Sequence, residues 1–131
     1  MMYLRFVVAD LDKDSGKELG IFHAMGRLRN SGQLHDFEDE HYEFIREWFN
    51  KHLEKPARFT ASKPPYYRKQ QKAISWFRDT AREHLDKVRE LVVILQNHGI
   101  VVETLITDRV GYVVYEDKYQ IVAEPFTGES Y

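Results

Sequence analysis

The stretch "IVVETLITDRVGYVVYEDKYQIVAEPF", Ile100 to Phe126, limits the fold more than any other part of the chain. β-Branched and aromatic side chains suit a pleated, half-buried surface, and here they are interrupted by "DRVG" and "EDK", where turns are needed. The spacing predicts three strands, about Val101 to Thr107, Tyr112 to Glu116 and Tyr119 to Glu124. Strands must pair their backbone groups, so this meander requires a sheet. At the other end of the chain "YLRFVVA" alternates, with Leu4, Phe6 and Val8 on one face and Tyr3, Arg5 and Val7 on the other. It supplies a further strand.

Between these ends the apolar period changes to that of helices. "SGKELGIFHAMGRLRNSG" has Leu19, Phe22, Met25 and Leu28 at one-face spacing and stops at "NSG". "DFEDEHYEFIREWFNKHL" repeats the spacing through Phe37, His41, Phe44, Ile45, Trp48 and Phe49, with acids crowded into its first turns, where the helix dipole favours them. A third helix is expected from about Lys69 to His98, along the stripe Ile74, Phe77, Ala81, Leu85, Val88, Val92 and Leu95, with Gly99 as its C-terminal cap. "EKPARFTASKPP" holds three of the four prolines and reads as an extended connection. The expected order is β-α-α-α-β-β-β, an α+β two-layer sandwich with a mainly antiparallel sheet and the helices on one face. A chain of 131 residues can bury a core of its own, so residues 1–131 are expected to form a single domain.

The chain has no cysteine, which removes disulfides, thiolate metal sites and cysteine nucleophiles and fits a reducing compartment. Its longest apolar runs, such as "LVVIL" at Leu91 to Leu95, fall far short of the roughly 20 residues of a membrane span. "MMYLRFVVADLDKD" has neither a basic leader region nor a small-residue cleavage site. The expectation is a cytoplasmic protein without a membrane partner.

A net charge of -2 conceals a separation of charge along the chain. Lys51 to Arg78 carries eight cations against Glu54 alone, whereas His35 to Asn50 carries six acids against Arg46 alone. Within the basic stretch, "KPPYYRKQQKAISWFR" interleaves Lys63, Arg68, Lys69, Lys72 and Arg78 with Tyr66, Tyr67 and Trp76. Cations for phosphates and flat rings for bases are what nucleic acids and other anionic ligands require. The pI of about 6.3 is low for a dedicated nucleic-acid domain, and the same cations could instead be solvated or face the acidic second helix, within the chain or across a homodimer.

Three other patterns bear on chemistry. "ADLDKDSGKELG" sets Asp10, Asp12 and Asp14 on alternate positions, but a calcium loop counted from Asp10 meets Ser15 where glycine belongs and Ile21 where the closing glutamate belongs. Ser15 with Glu18 has the spacing of a capping box, so the stretch is read as a turn into the first helix. Glu38 and His41 form one Glu-x-x-His pair, whereas carboxylate-bridged metal bundles need two, and His41 is expected to be a hydrogen-bonded imidazole at the edge of the core. Neither metal nor cofactor is expected. Asp108, Glu116 and Lys118 resemble the Asp…Glu-x-Lys of restriction-type nucleases, in which two carboxylates hold Mg²⁺ and the lysine supports the attacking water. In that fold the Glu-x-Lys lies along a strand, whereas "EDK" here has the chemistry of a hairpin tip.

With its "WFRDTAREHL" helix and its "RVGYVVYEDKYQIVAEPF" ending, the chain resembles a family of short bacterial proteins. The resemblance covers roughly the C-terminal half, implies a bacterial protein and carries over no functional residue. The functional expectation is a binding or interaction module that uses the basic-aromatic segment for an anionic ligand or nucleic acid. The alternatives are a metal-dependent phosphodiesterase built on Asp108, Glu116 and Lys118 and a homodimeric interaction subunit.

Overall fold

A computed structural model describes residues 1–11, 18–55 and 73–126. Within them the elements are β1 (Tyr3–Leu11), β2 (Glu18–Gly20), α1 (Ile21–Asn30), α2 (Asp36–His52), β3 (Ile74–Arg78), α3 (Arg82–Asn97), β4 (Val102–Thr107), β5 (Tyr112–Glu116) and β6 (Gln120–Glu124). The α+β class and the antiparallel sheet are as expected, and β1, the three helices and the closing trio β4, β5 and β6 follow one another in the expected order. Two strands join that order. β2 precedes α1, and β3 occupies the segment expected to begin the third helix.

The β3 correction has a local cause. Ile74, Phe77 and Ala81 fit a helical stripe, but Ile74 and Trp76 also alternate with Ser75 and Phe77 at the strand period. The chain takes the strand because β3 bridges β1 and β6, pairing Leu4 with Phe77 and Trp76 with Ile121. A turn follows, in which the Ala81 N–H donates to the Arg78 carbonyl at 3.0 Å, and α3 begins at Arg82. "WFRDTAREHL" is therefore strand, turn and helix. At its far end α3 stops as expected: Gly99 has φ 75°, its N–H reaches the Gln96 carbonyl, and the Ile100 N–H reaches that of Leu95, which is a Schellman motif.

The capping-box expectation for Ser15 and Glu18 also fails. Glu18 pairs with Leu11 across β1 and β2, and α1 starts three residues later with Gly20 as its N-cap. Asp12, Asp14 and Ser15 lie outside the described residues.

β1 lies at the centre of the sheet. One edge pairs with β4 from Tyr3 to Val8 without a break. The other edge is shared, with Tyr3 and Leu4 paired to β3 and Val7, Val8 and Leu11 paired to β2. Beyond β3 come β6 and then β5, all antiparallel. The face of β1 that carries Leu4, Phe6 and Val8 packs against α1, α2 and α3 through Met25, Ile45, Leu91 and Leu95, none of which is exposed. Burying aliphatic side chains of this size stabilises the fold by about 1.5–3 kcal/mol each.

On the opposite face Ile74, Trp76, Ile121 and Ala123 gather beneath Val110. The reason is geometric. Asp108 to Gly111 alone connect β4 at one edge to β5 at the other. Extended chain covers about 3.5 Å per residue, roughly 17 Å in all. A flat sheet would set those edges four strand spacings apart, about 19 Å. The sheet therefore curls, and Val110, only 6% exposed, fills its concave side. Among the described residues no helix is long and apolar enough to cross a membrane.

Candidate functional site

The shared edge of β1 leaves Arg5 and Phe6 between the end of β2 and the end of β3. A cavity of about 370 Å³ opens at this gap. Its described walls are largely aromatic: Phe22 meets Phe49 edge to face at 5.0 Å, Phe49 meets Phe77 at 6.1 Å, and Trp76 closes the β3 side. Each ring has a reason to be there. Phe77 projects from β3 to the helix side of the sheet because it pairs with Leu4, whereas Phe22 and Phe49 come from the first turn of α1 and the last turns of α2.

Arg5 crosses the gap. Its Nη1 donates to the Ser75 carbonyl at 3.3 Å, and its Nη2 lies 3.4 Å from where a Cβ on Gly20 would be. Gly20 has φ -69° and ψ 160°, a conformation open to any residue, so glycine here serves space and not backbone freedom. The first turn of α1 lines the same cavity with Gly20, Ile21, Phe22 and His23. That turn contains no acid, and its N-cap has no side chain to accept from the leading amides, so neither the turn nor its cap offsets the positive end of the helix dipole.

With Arg46 and Lys55, the described lining holds three cations against the carboxylate of Glu54. Arg46 and Lys55 are exposed at the mouth, and Arg46 is shared with Glu43 at 3.1 Å, whereas Arg5 is half-buried. Polar groups that can orient a ligand come from Asn50, Ser75 and Gln120. Gln120 is 3% exposed and donates through Nε2 to the Glu54 carbonyl at 2.7 Å and to Asp117 Oδ2 at 3.1 Å. A second recess beyond it sets Lys51, Lys55 and Lys118 against the carboxylates of Glu54 and Asp117, beside His52 and Tyr119. The cavity thus has an apolar, flat-walled body with Arg5 set into it and Arg46, Lys55 and Glu54 at its exposed rim. It can hold an organic anion.

His84, 4% exposed, supports this end of α2. Its Nε2 donates to the His52 carbonyl at 2.8 Å and its ring stacks on Tyr119 at 4.3 Å. Asp117 holds the β5–β6 hairpin. Burial raises its pKa, but the Tyr119 amide, the Gln120 side chain and the Tyr115 hydroxyl all donate to it, and the net shift is downward. The same hydrogen bond pushes the Tyr115 hydroxyl up to about 12.

Of the residues singled out in the sequence, Lys63, Tyr66, Tyr67, Arg68, Lys69 and Lys72 lie outside the described residues. Trp76 is 1% exposed, so it forms part of the cavity wall and the second core and cannot offer a free face for stacking. Arg78 does not extend into solvent. Its Nη2 meets Glu116 Oε2 at 3.0 Å, its Nε donates to the Asp117 carbonyl at 2.8 Å, and it stands over the Tyr3 ring. Glu116 is therefore brought to Arg78, and no described hydrogen bond or ion pair joins it to Asp108 or Lys118. Glu116 ends β5, and Asp117 to Tyr119 form the turn into β6, with the Asp117 N–H donating to the Gln120 carbonyl at 3.0 Å. No group of three or more histidine or carboxylate side chains converges as a metal site among the described residues.

The place at the core expected for His41 is taken by Glu38. His41 is 42% exposed and meets Glu90 at 3.1 Å, whereas Glu38 is buried between the His35 N–H at 3.0 Å and His98 Nε2 at 2.8 Å. The hydrogen bond from His98 outweighs burial and holds the Glu38 carboxyl below its ordinary range. Sequence reasoning missed Arg5, Gly20, Phe22, Arg46 and Phe49 as a group. The available signal was Arg5, a lone cation within the apolar run "YLRFVVA". Neither a family model, nor a curated protein, nor a solved structure matches the chain.

Proposed function

We propose that this chain is a binding module for a small organic anion, a carboxylate or phosphate carried on a flat apolar body, held in the gap between β2 and β3. The observation that carries the reading is the Arg5 guanidinium set at the floor of an aromatic-walled cavity. Flat rings suit edge-to-face and stacked contacts with Phe22, Phe49 and Phe77, and the anionic group is directed to Arg5 and to the first turn of α1. The choice of a small ligand over a nucleic acid rests on Trp76, whose ring is enclosed, and on Arg78, whose guanidinium is already paired.

The test is calorimetric titration with 2-naphthoate and its neutral isostere 2-naphthamide. A hydrogen bond to a charged partner contributes about 1.5–3 kcal/mol, so the carboxylate is expected to bind ten- to a hundredfold more tightly. Equal affinity for the two, or no binding of either, contradicts the proposal.

A further inference from the structure

The cavity beside β1 holds a buried polar group that the capture of an anion leaves unused. Gln120 opens β6 opposite Phe77 of β3, so its side chain shares the helix side of the sheet with that ring. It is 3% exposed, and it lines the cavity without lining the recess beyond. One end of its amide reaches the Glu54 carbonyl at 2.7 Å and Asp117 Oδ2 at 3.1 Å. A carbonyl can only accept, and Asp117 is kept ionised by the donors around it, so the end that meets both is the NH2 group. Oε1 is thereby turned away from the hairpin, and no donor among the described residues reaches it. A buried acceptor left without a donor is unfavourable, so a ligand that brings one gains by it.

Strand geometry sets the separation between this acceptor and the cation. Arg5 donates to the Ser75 carbonyl, two residues along β3 from Phe77, and Gln120 stands one strand across from Phe77. The backbone points of Ser75 and Gln120 are therefore about 8 Å apart, the scale of a two-ring ligand. We infer that the cavity selects an aromatic anion that also carries an N–H or O–H donor at the far end of its ring system, with the anionic group on Arg5 and the donor on Gln120 Oε1. The inference rests on the reading of the cavity as a site for an organic anion and adds which organic anions it prefers. A site built to hydrogen-bond one group of a ligand rejects the analogue that lacks it, because its own buried partner is then left unpaired.

The probes are 2-naphthoate, 6-hydroxy-2-naphthoate and 6-methoxy-2-naphthoate, whose substituents lie across the two rings from the carboxylate. Calorimetric titration of the parent chain should show the hydroxy compound binding about threefold or more tightly than 2-naphthoate. The methoxy compound keeps the oxygen and lacks the proton, so it should bind no more tightly than 2-naphthoate. In Gln120→Met the ratio of hydroxy to methoxy affinity should fall to near one. A readout that needs no variant is the nuclear Overhauser effect in the parent chain, which should join the ring protons beside the hydroxyl to the Gln120 side-chain amide. Equal affinity for the hydroxy and methoxy compounds overturns the inference, as does a hydroxyl preference that survives Gln120→Met, or a hydroxyl end that contacts other residues and not Gln120. Should 2-naphthoate bind in preference to 2-naphthamide while these results are negative, the anion site stands and the inference alone falls. If none of the naphthoates binds, both fall.

Discussion

The two edges of β1 are built from one strand and do opposite things. Along the β4 edge every residue from Tyr3 to Val8 has a partner, and the short link through Val110 and Gly111 then draws β4 round towards β5. Along the other edge β3 takes Tyr3 and Leu4, β2 takes Val7 onward, and the sheet opens at Arg5 and Phe6. Each region has a characteristic glycine. Gly111, with φ 120°, passes so close to Glu124 that a Cβ would overlap its carbonyl, whereas Gly20 has an ordinary conformation and a Cβ there would meet the Arg5 side chain at an ordinary contact distance of 3.4 Å. A closed edge stabilises the sheet, and an interrupted one leaves room for a ligand.

The comparison can be broken most severely at the closed edge. Gly111→Ala combines a positive φ with a backbone overlap that nothing flexible can relieve, and it should destabilise the fold by roughly 3 kcal/mol or more, read as a lower denaturant midpoint. A variant as stable as the parent would mean that the link does not pass beneath Glu124. The helix layer should respond less. His98→Ala leaves the buried Glu38 carboxylate with the His35 amide as its remaining described donor, a loss of about 1–3 kcal/mol. Because the folded state holds Glu38 below its ordinary value, its contribution is fully present above the unfolded carboxylate pKa of about 4.3 and declines as pH falls through the lower folded value. Chemical denaturation between pH 7 and pH 3 should therefore show a shallower acid loss in the His98 variant than in the parent. Equal slopes would remove Glu38 as the source.

The smallest effect on stability is expected at the open edge, where it is most informative. Gly20→Leu needs no change of backbone conformation and directs its side chain towards the cavity, so stability should move by no more than about 0.5 kcal/mol while binding of 2-naphthoate falls at least tenfold. Unchanged affinity would place the ligand elsewhere.

The sequence shows the parts of this account whose causes are local. β4, β5 and β6 fall within a residue of the expected strands because "DRVG" and "EDK" break the run, and Gly99 ends α3 through a backbone conformation that glycine readily adopts. β3 is ambiguous in sequence, since Ile74, Phe77 and Ala81 satisfy the helical period and only pairing with β1 and β6 selects the strand. On α2 two apolar rows compete, and Tyr42 and Phe49 are buried whereas Phe37 and Phe44 are exposed. The cavity is the least legible feature. It arises only when β2 and β3 divide one edge of β1, and no spacing within a single segment encodes that event.

The central claim is that Arg5 makes the open edge a site for anions. Its most direct test is a double comparison by calorimetry, pairing 2-naphthoate and 2-naphthamide with the parent chain and with Arg5→Met, which keeps an apolar stem of similar length. The account predicts that the parent prefers the carboxylate at least tenfold, that the variant loses most of that preference, and that amide affinity changes little. A preference for carboxylate that survives intact in the Arg5→Met chain would contradict it.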